Sequence, residues 1–207
     1  MGADHLEIEH KFIVPADFDR AAFAAAAQLR GPLRTAAVEV EDSYFVVAAN
    51  PAVIFRHRCD RERQELTVKT RGGDCEVRLE VNLRLDQQRG NQRAAVAAFL
   101  QPFGVRWQGT LRKDLVVFEF ADCEIVHYRA ESPDGRVACV EFEAVGQPDI
   151  ATARAVLARY EAALGFADRE RSQVSLFDLL LAPRVITVWP VADCSKRSCL
   201  DMSDSSQ

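Results

Sequence analysis

The feature that most constrains this chain is a period-two alternation that recurs in five separate segments, with apolar residues on one set of positions and charged residues on the other. In residues 6–13, Glu7, Glu9 and Lys11 alternate with Ile8, His10 and Phe12. Further on, Arg56 and Arg58 flank His57 and oppose Phe55. Glu65, Thr67 and Lys69 oppose Leu66 and Val68, and Arg78, Glu80 and Asn82 oppose Val77, Leu79 and Val81. Near the end of this block, Glu141 and Glu143 oppose Val140 and Phe142. Side chains alternate across a strand, so each segment reads as a strand with one apolar and one charged face. One wet sheet face would explain any single strand. Taken together, the strands set Arg and Lys against Glu–Glu pairs and hold few of the Thr, Ser and Gln residues that usually coat a wet face. If such a sheet closes, these charges converge on one interior.

The remaining pattern fits that scheme. Strands are predicted over residues 6–13, 42–47, 52–58, 65–70, 75–82, 107–112, 115–120, 124–128 and 137–144. Asn50-Pro51, Arg71-Gly72-Gly73-Asp74 and Ser132-Pro133-Asp134-Gly135 read as turns. A first helix is predicted from Pro15-Ala16-Asp17, with Asp17 as N-cap, to Gly31-Pro32. A second spans residues 91–101. A third starts at Pro148-Asp149, carries Ile150, Ala153, Leu157, Tyr160 and Leu164 on one face, and stops at Gly165. Ser172 opens a short apolar helix over residues 174–181. There is no internal repeat. The fold class is α+β, a closed or nearly closed antiparallel barrel with a few helices, over residues 1–182, followed by a disordered polar tail over residues 183–207.

Composition narrows the functions available. At 207 residues, 48% hydrophobic and 28% charged, the chain can bury a sizeable core. Charges interrupt every apolar run before the ~18 residues of a membrane span. The N-terminus has no basic stretch leading into an apolar one. A cytoplasmic protein without a membrane partner is the expectation. A net charge of −5 argues against nucleic-acid binding through a global positive field. Cys59, Cys75, Cys123 and Cys139 lack metal-ligand spacing and read as strand or core residues, while Cys194 and Cys199 lie in the tail as a free, exposed pair.

A charged interior is costly unless its charges pair or bind something. Clustered carboxylates call for a hard cation such as Mg²⁺ or Mn²⁺. Clustered Arg and Lys call for a polyanion. An interior with both suits a metal–polyphosphate complex and phosphoryl-transfer chemistry.

The sequence here resembles the CYTH proteins, the triphosphate tunnel metalloenzymes. Glu7-Ile8-Glu9-His10-Lys11 matches their ExExK signature. It is followed in the family's order by Asp42-Ser43-Tyr44-Phe45, Phe55-Arg56-His57-Arg58, Leu66-Thr67-Val68-Lys69, Arg78-Leu79-Glu80, Leu111-Arg112 and Val140-Glu141-Phe142-Glu143. The resemblance covers residues 5–182. It implies an eight-stranded antiparallel tunnel with helices outside and a small-molecule triphosphate within, in a monomer or homodimer. It implies Glu7, Glu9, Glu80, Glu141 and Glu143 as ligands of Mg²⁺ or Mn²⁺. Lys11, Arg56, Arg58, Lys69, Arg78 and Arg112 are implied as phosphate ligands, with Glu9 and Lys11 carrying catalysis. The implied activity is metal-dependent hydrolysis of inorganic triphosphate, thiamine triphosphate or a nucleoside triphosphate. The alternatives are a class IV type adenylyl cyclase and a polyphosphate- or nucleotide-binding module.

The chain departs from the family pattern in three places. The family's Arg-x-Glu-x-Glu strand ends here in Asn82, so one carboxylate is lost, residues 124–128 offer no evident counterpart of its Asp, and residues 172–177 lack its Lys. Metal binding is therefore expected to be weaker or rearranged. His10 and His57 are expected to point outward in structural roles, and His127 is a weak site candidate. Of the neighbours Arg112 and Lys113, Arg112 is expected to face inward. Asp42 is expected to support the site, Glu65 to reach the tunnel mouth, and Tyr44, Phe45 and Trp107 to pack.

Overall fold

The computed structural model describes residues 6–71 and 76–182. The expectations for the tail, its Cys194–Cys199 pair, Cys75 and the glycines of the 71–74 turn lie outside these residues. The elements are β1 (Leu6–Val14), α1 (Arg20–Gln28), β2 (Arg34–Val47), β3 (Val53–Cys59), β4 (Gln64–Thr70), β5 (Val77–Arg84), α2 (Arg93–Leu100), β6 (Val105–Glu119), β7 (Cys123–Ser132), β8 (Gly135–Ala144), α3 (Ile150–Ala163) and α4 (Leu176–Leu180). The strands form a closed antiparallel barrel in the order β1-β5-β4-β3-β2-β6-β7-β8. Closure pairs each of the eight strands with a neighbour on both sides and so removes most of the open sheet edge.

β6, β2, α1 and α4 differ most from the sequence reading. β6 is one 15-residue strand where two were expected. It pairs along β2, which starts at Arg34 rather than residue 42, from Arg34↔Glu119 to Val47↔Val105. The charged Arg112-Lys113-Asp114 step reads as a break in sequence, yet pairing on both sides holds it in the ladder. α1 starts later than expected, because Phe18 N–H donates to Pro15 O in a turn and Asp19, not Asp17, caps the helix by accepting from Ala22 N–H at 2.9 Å. α4 is capped by Ser175, whose Oγ accepts from Asp178 N–H at 3.1 Å, so it begins after the expected Ser172. The third helix has the expected cap, Asp149 accepting from Thr152 N–H at 2.7 Å, and ends before Gly165 at φ 76°.

The apolar faces of the strands turn outward onto helices. Ile8, Phe12, Phe118, Ile125, Val140 and Phe142 pack under Phe23 and Ala27 of α1, Ala153 and Leu157 of α3, and Phe166 beyond it. Phe45 and Leu66 pack under Val96 and Leu100 of α2. A further core lies inside the barrel, where Val40, Leu111, Leu115 and Tyr128 meet Leu176, Phe177 and Leu180 of α4. Seated against the β7–β8 hairpin, where Ser132 Oγ donates to Leu180 O at 3.2 Å, α4 closes one end of the barrel. Among the described residues no helix is long and apolar enough to cross a membrane.

Candidate active site

The inward positions of β1, β5, β4, β3 and β8 line a cavity of about 310 Å³. Of the residues expected to form the site, Glu7, Glu9, Lys11, Arg56, Arg58, Lys69, Arg78, Glu80, Glu141 and Glu143 all line it. Arg112 does not. It lies exposed on the outer face, opposite Glu41 and Glu131. Lys113 takes the inward place, buried with Nζ 2.7 Å from Asp42. On one continuous strand, Leu111, Lys113 and Leu115 share a face, and the burial of both leucines sends Arg112 the other way.

The side chains pair in a branched network. Lys11 Nζ lies 3.3 Å from Glu9 and 3.1 Å from Glu141. Arg78 bridges Glu7 and Glu9, reaching Glu9 at 2.6 Å. Lys69 pairs with Glu7 at 2.9 Å and with Glu80. Arg56 lies 3.6 Å from Glu65 and 3.5 Å from Glu80, and donates to Thr67 at 3.0 Å. Thr67 donates to Asn82 at 2.6 Å, and Asn82 donates to Glu80 at 2.9 Å. The amide at 82 thus continues the network as a neutral link. Fully buried Asp42 takes a bidentate contact from Arg58 at 2.8 and 3.0 Å as well as Lys113. It fixes the inward cations, as expected of a supporting residue.

Two kinds of group in this cavity are left wanting. Arg56 Nε is buried without a hydrogen-bond partner among the described residues. The carboxylates Glu9, Glu143 and Glu124 are directly opposite one another across β1, β8 and β7, and like charges in that register repel. Neither Glu124 nor Glu143 has an ion-pair partner among the described residues.

The titration directions follow from this layout. Burial, with Glu7, Glu124 and Glu9 close by, pushes the Glu143 carboxyl well above the usual range. Burial raises Glu124 and also raises Glu9, outweighing Lys11 and Arg78. For Glu7, burial is overcome by Lys69 and Arg78, which hold the carboxyl well below its ordinary value. Glu141 is likewise lowered against burial by Lys11 and Lys113, and by the Tyr128 hydroxyl that donates to it at 2.7 Å. Burial works against Lys11, but Glu9 and Glu141 raise it. Lys113 is pulled down by burial, with Arg58 and Arg56 close by, since three cations share the one Asp42 carboxylate.

The residue that sequence reading missed is Glu124. Its signal was parity: Glu124, Val126 and Tyr128 alternate with the buried Ile125 and His127, so all three face the cavity. Glu65 reaches the cavity as expected, and Tyr44 lines it while packing on Phe177. Gln173 and Ser175 complete the closed end. His10 and His57 point outward, His10 onto Glu161 of α3 and His57 onto Gln64 at 2.8 Å.

The donors suit a hard cation, since they are carboxylate oxygens and include a row that repels itself. In the described arrangement no three of them gather into a coordination shell, because Glu7, Glu9 and Glu80 are drawn onto Lys69, Arg78, Lys11 and Arg56. A polyanion that engaged those bases would release carboxylates toward Glu143 and Glu124.

No family model matches the sequence, and no curated protein matches it. Solved structures do. A Pyrococcus horikoshii protein, PH1012, aligns over 84% of this chain and 99% of its own at 17% identity and a TM-score of 0.66. HpAC1 from Hippeastrum, an adenylyl cyclase candidate with a dominant triphosphatase activity, aligns over 86% and 96% at 16% identity and 0.56. The RNA triphosphatase domain of a mimivirus mRNA capping enzyme aligns over 78% and 90% at 11% identity and 0.50. The fold is thereby shown: the closed eight-stranded antiparallel barrel of this chain is shared with these structures.

Proposed function

We propose that this chain is a divalent-metal-dependent triphosphatase acting on a small molecule with a triphosphate chain. The observation that carries the reading is the pairing of opposite needs in one cavity. An orphaned, buried arginine nitrogen lies in the same enclosure as a self-repelling row of carboxylates. A phosphate chain answers the first and a cation the second.

In this reading Lys11, Arg56, Arg58, Lys69 and Arg78 hold the phosphate chain, with Lys113 in the place first expected of Arg112. Arginine supplies forked donors and lysine a point charge. Glu9 and Glu143 hold Mg²⁺ or Mn²⁺, supported by Glu7, Glu80, Glu141 and Glu124. When bound, the cation neutralises phosphate charge and polarises the phosphorus centre. Lys11, between Glu9 and Glu141, orients the terminal phosphate and offsets charge as it develops. The apolar seal of α4 keeps bulk water from the closed end. Water adds to the terminal phosphorus, the bridging P–O bond breaks, and orthophosphate leaves together with the diphosphate product.

The test is a panel of inorganic triphosphate, thiamine triphosphate and ATP, with Mg²⁺, with Mn²⁺ and without metal, read for phosphate release, cyclic AMP and thermal shift. Metal-dependent orthophosphate release from at least one substrate is expected. Cyclic AMP as the main product would turn the reading to a cyclase. Thermal stabilisation with no product would turn it to a binding module.

A further inference from the structure

A second pocket, of about 470 Å³, opens on the outer face of the barrel, between the β1–α1 connection and the β7–β8 ribbon. The triphosphate reading makes no use of it. Its floor is apolar, formed by Val14, Pro15 and Ala16 with Val137 and Ala138. Three arginines line the same pocket: Arg20 at the start of α1, Arg129 on β7 and Arg136 on β8. None of the three has an ion-pair or hydrogen-bond partner among the described residues. A single carboxylate, Glu131, shares the pocket, and Asp114 stands opposite Arg129 on β6 without pairing with it. The pocket therefore carries a surplus of two positive charges over a greasy floor.

His127 forms part of the same wall. It is buried, stacked on Phe18 at 5.6 Å between ring centroids, and its Nε2 has no hydrogen-bond partner among the described residues. Burial, reinforced by Arg20 and Arg129, lowers the ring to about 4. The ring is thus neutral near pH 7, and it registers the positive field that the arginines impose. Unpartnered arginines have no structural need to gather on one apolar hollow, and solvated ones spread apart to lower their repulsion.

We infer that this outer pocket is a binding site for a small organic anion, with a phosphomonoester or carboxylate head held by Arg20, Arg129 and Arg136 and an apolar body lying on Val14 and Ala138. The volume is in the range of small-molecule sites, roughly 300–1,000 Å³. Forked guanidinium donors match either head group. β7 separates this site from the tunnel, since Tyr128 faces inward while His127 and Arg129 face outward. The inference stands whether or not the tunnel hydrolyses triphosphate.

The experiment titrates phenyl phosphate, benzoate, inorganic phosphate and phenol into the full chain, following the His127 ring by NMR. Phenyl phosphate or benzoate is expected to saturate, shift the His127 signals and raise that histidine's titration midpoint, because a bound anion offsets the guanidinium field. The better of the two identifies the head group. Inorganic phosphate and phenol are each expected to bind about tenfold more weakly, having only one half of the recognition. Arg129→Ala and Arg136→Ala are each expected to weaken binding about three- to tenfold, while Lys11→Ala in the tunnel leaves it unchanged. Both arginines are exposed and without an ion-pair partner among the described residues, so their loss spares the fold. No perturbation of His127 by any probe, equal affinity in the arginine variants, or equal affinity for inorganic phosphate and phenyl phosphate would each overturn the inference.

Discussion

The interior of the barrel has two unlike walls. On β2, β6 and β7 the inward positions include Val40, Leu111, Leu115 and Val126, which pack together with α4. On β1, β5, β4 and β3 the inward positions include Glu7, Glu9, Lys11, Arg78, Glu80, Lys69, Arg56 and Arg58. Both walls belong to the same closed sheet and alternate with the same period. The first contributes stability through burial at ~25 cal/mol per Å². The second costs stability, because well-packed apolar residues in place of a buried ion-pair network are often neutral or stabilising. In the proposed reading the difference marks where selection for binding acts, a ligand being the reason to keep the charged wall. The apolar wall also serves it, by lowering the dielectric that the charges feel.

Substitutions on either wall test this division. The largest effect belongs to the charged wall. Glu9→Gln should lower metal-dependent phosphate release about 10²- to 10³-fold, the scale of removing one preorganised electrostatic group, with the thermal transition retained. On the apolar wall, Leu111→Ala should cost about 2–5 kcal/mol of stability in chemical denaturation and leave the triphosphate affinity of the folded protein unchanged. A Leu111→Ala protein that keeps its stability and loses affinity would erase the distinction between the walls.

Smaller effects sharpen it. Lys113→Met should weaken triphosphate binding about tenfold in calorimetry, by removing one inward cation. Arg112→Met, one residue away but outside the barrel, should change it by less than about twofold. The smallest effect is a gain. With its carboxyl raised by burial and three neighbouring carboxylates, Glu143 binds its proton more tightly in the folded than in the unfolded chain. It therefore opposes folding above the unfolded value of about 4.3 and is without effect below it. Glu143→Gln should raise the metal-free melting temperature by about 2–4 °C at pH 7. The gain should fade as the pH falls below about 4.

Much of the charged wall was legible in the sequence, because each strand announces its inward residues by alternation. ExExK on β1 and Glu-x-Glu on β8 lie directly opposite one another in the structure, Lys11 facing Glu141 and Glu9 facing Glu143. Parity failed where a strand boundary was misplaced. Splitting β6 at Lys113 hid the run Leu111, Lys113, Leu115 and sent Arg112 inward instead. Glu124 was missed for a related reason. It lies second in β7, after Cys123, where the sequence reading starts the strand at residue 124, and a lone acid at a strand start looks like a solvated end. The first half of β2, Arg34 to Glu41, was unreadable because its small and charged residues gain their strand conformation from pairing with β6. The outer pocket left almost no trace, since Arg20, Arg129 and Arg136 come together only when the barrel closes.

The central claim is that the charged wall binds a metal–triphosphate complex, and Glu9 and Lys11 test it most directly because they sit two positions apart on one face of β1. The measurement is calorimetric titration of inorganic triphosphate into the parent, Glu9→Gln and Lys11→Ala proteins, each with and without Mg²⁺. Lys11→Ala should weaken triphosphate binding in both conditions, since it removes a cation facing the phosphate chain. Glu9→Gln should bind triphosphate without Mg²⁺ at least as well as the parent, because removing a negative charge cannot weaken attraction for an anion, and should lose the gain that Mg²⁺ brings. If both variants bind like the parent in both conditions, the inward face of β1 is only a buried ion-pair network with no part in binding, and the account fails.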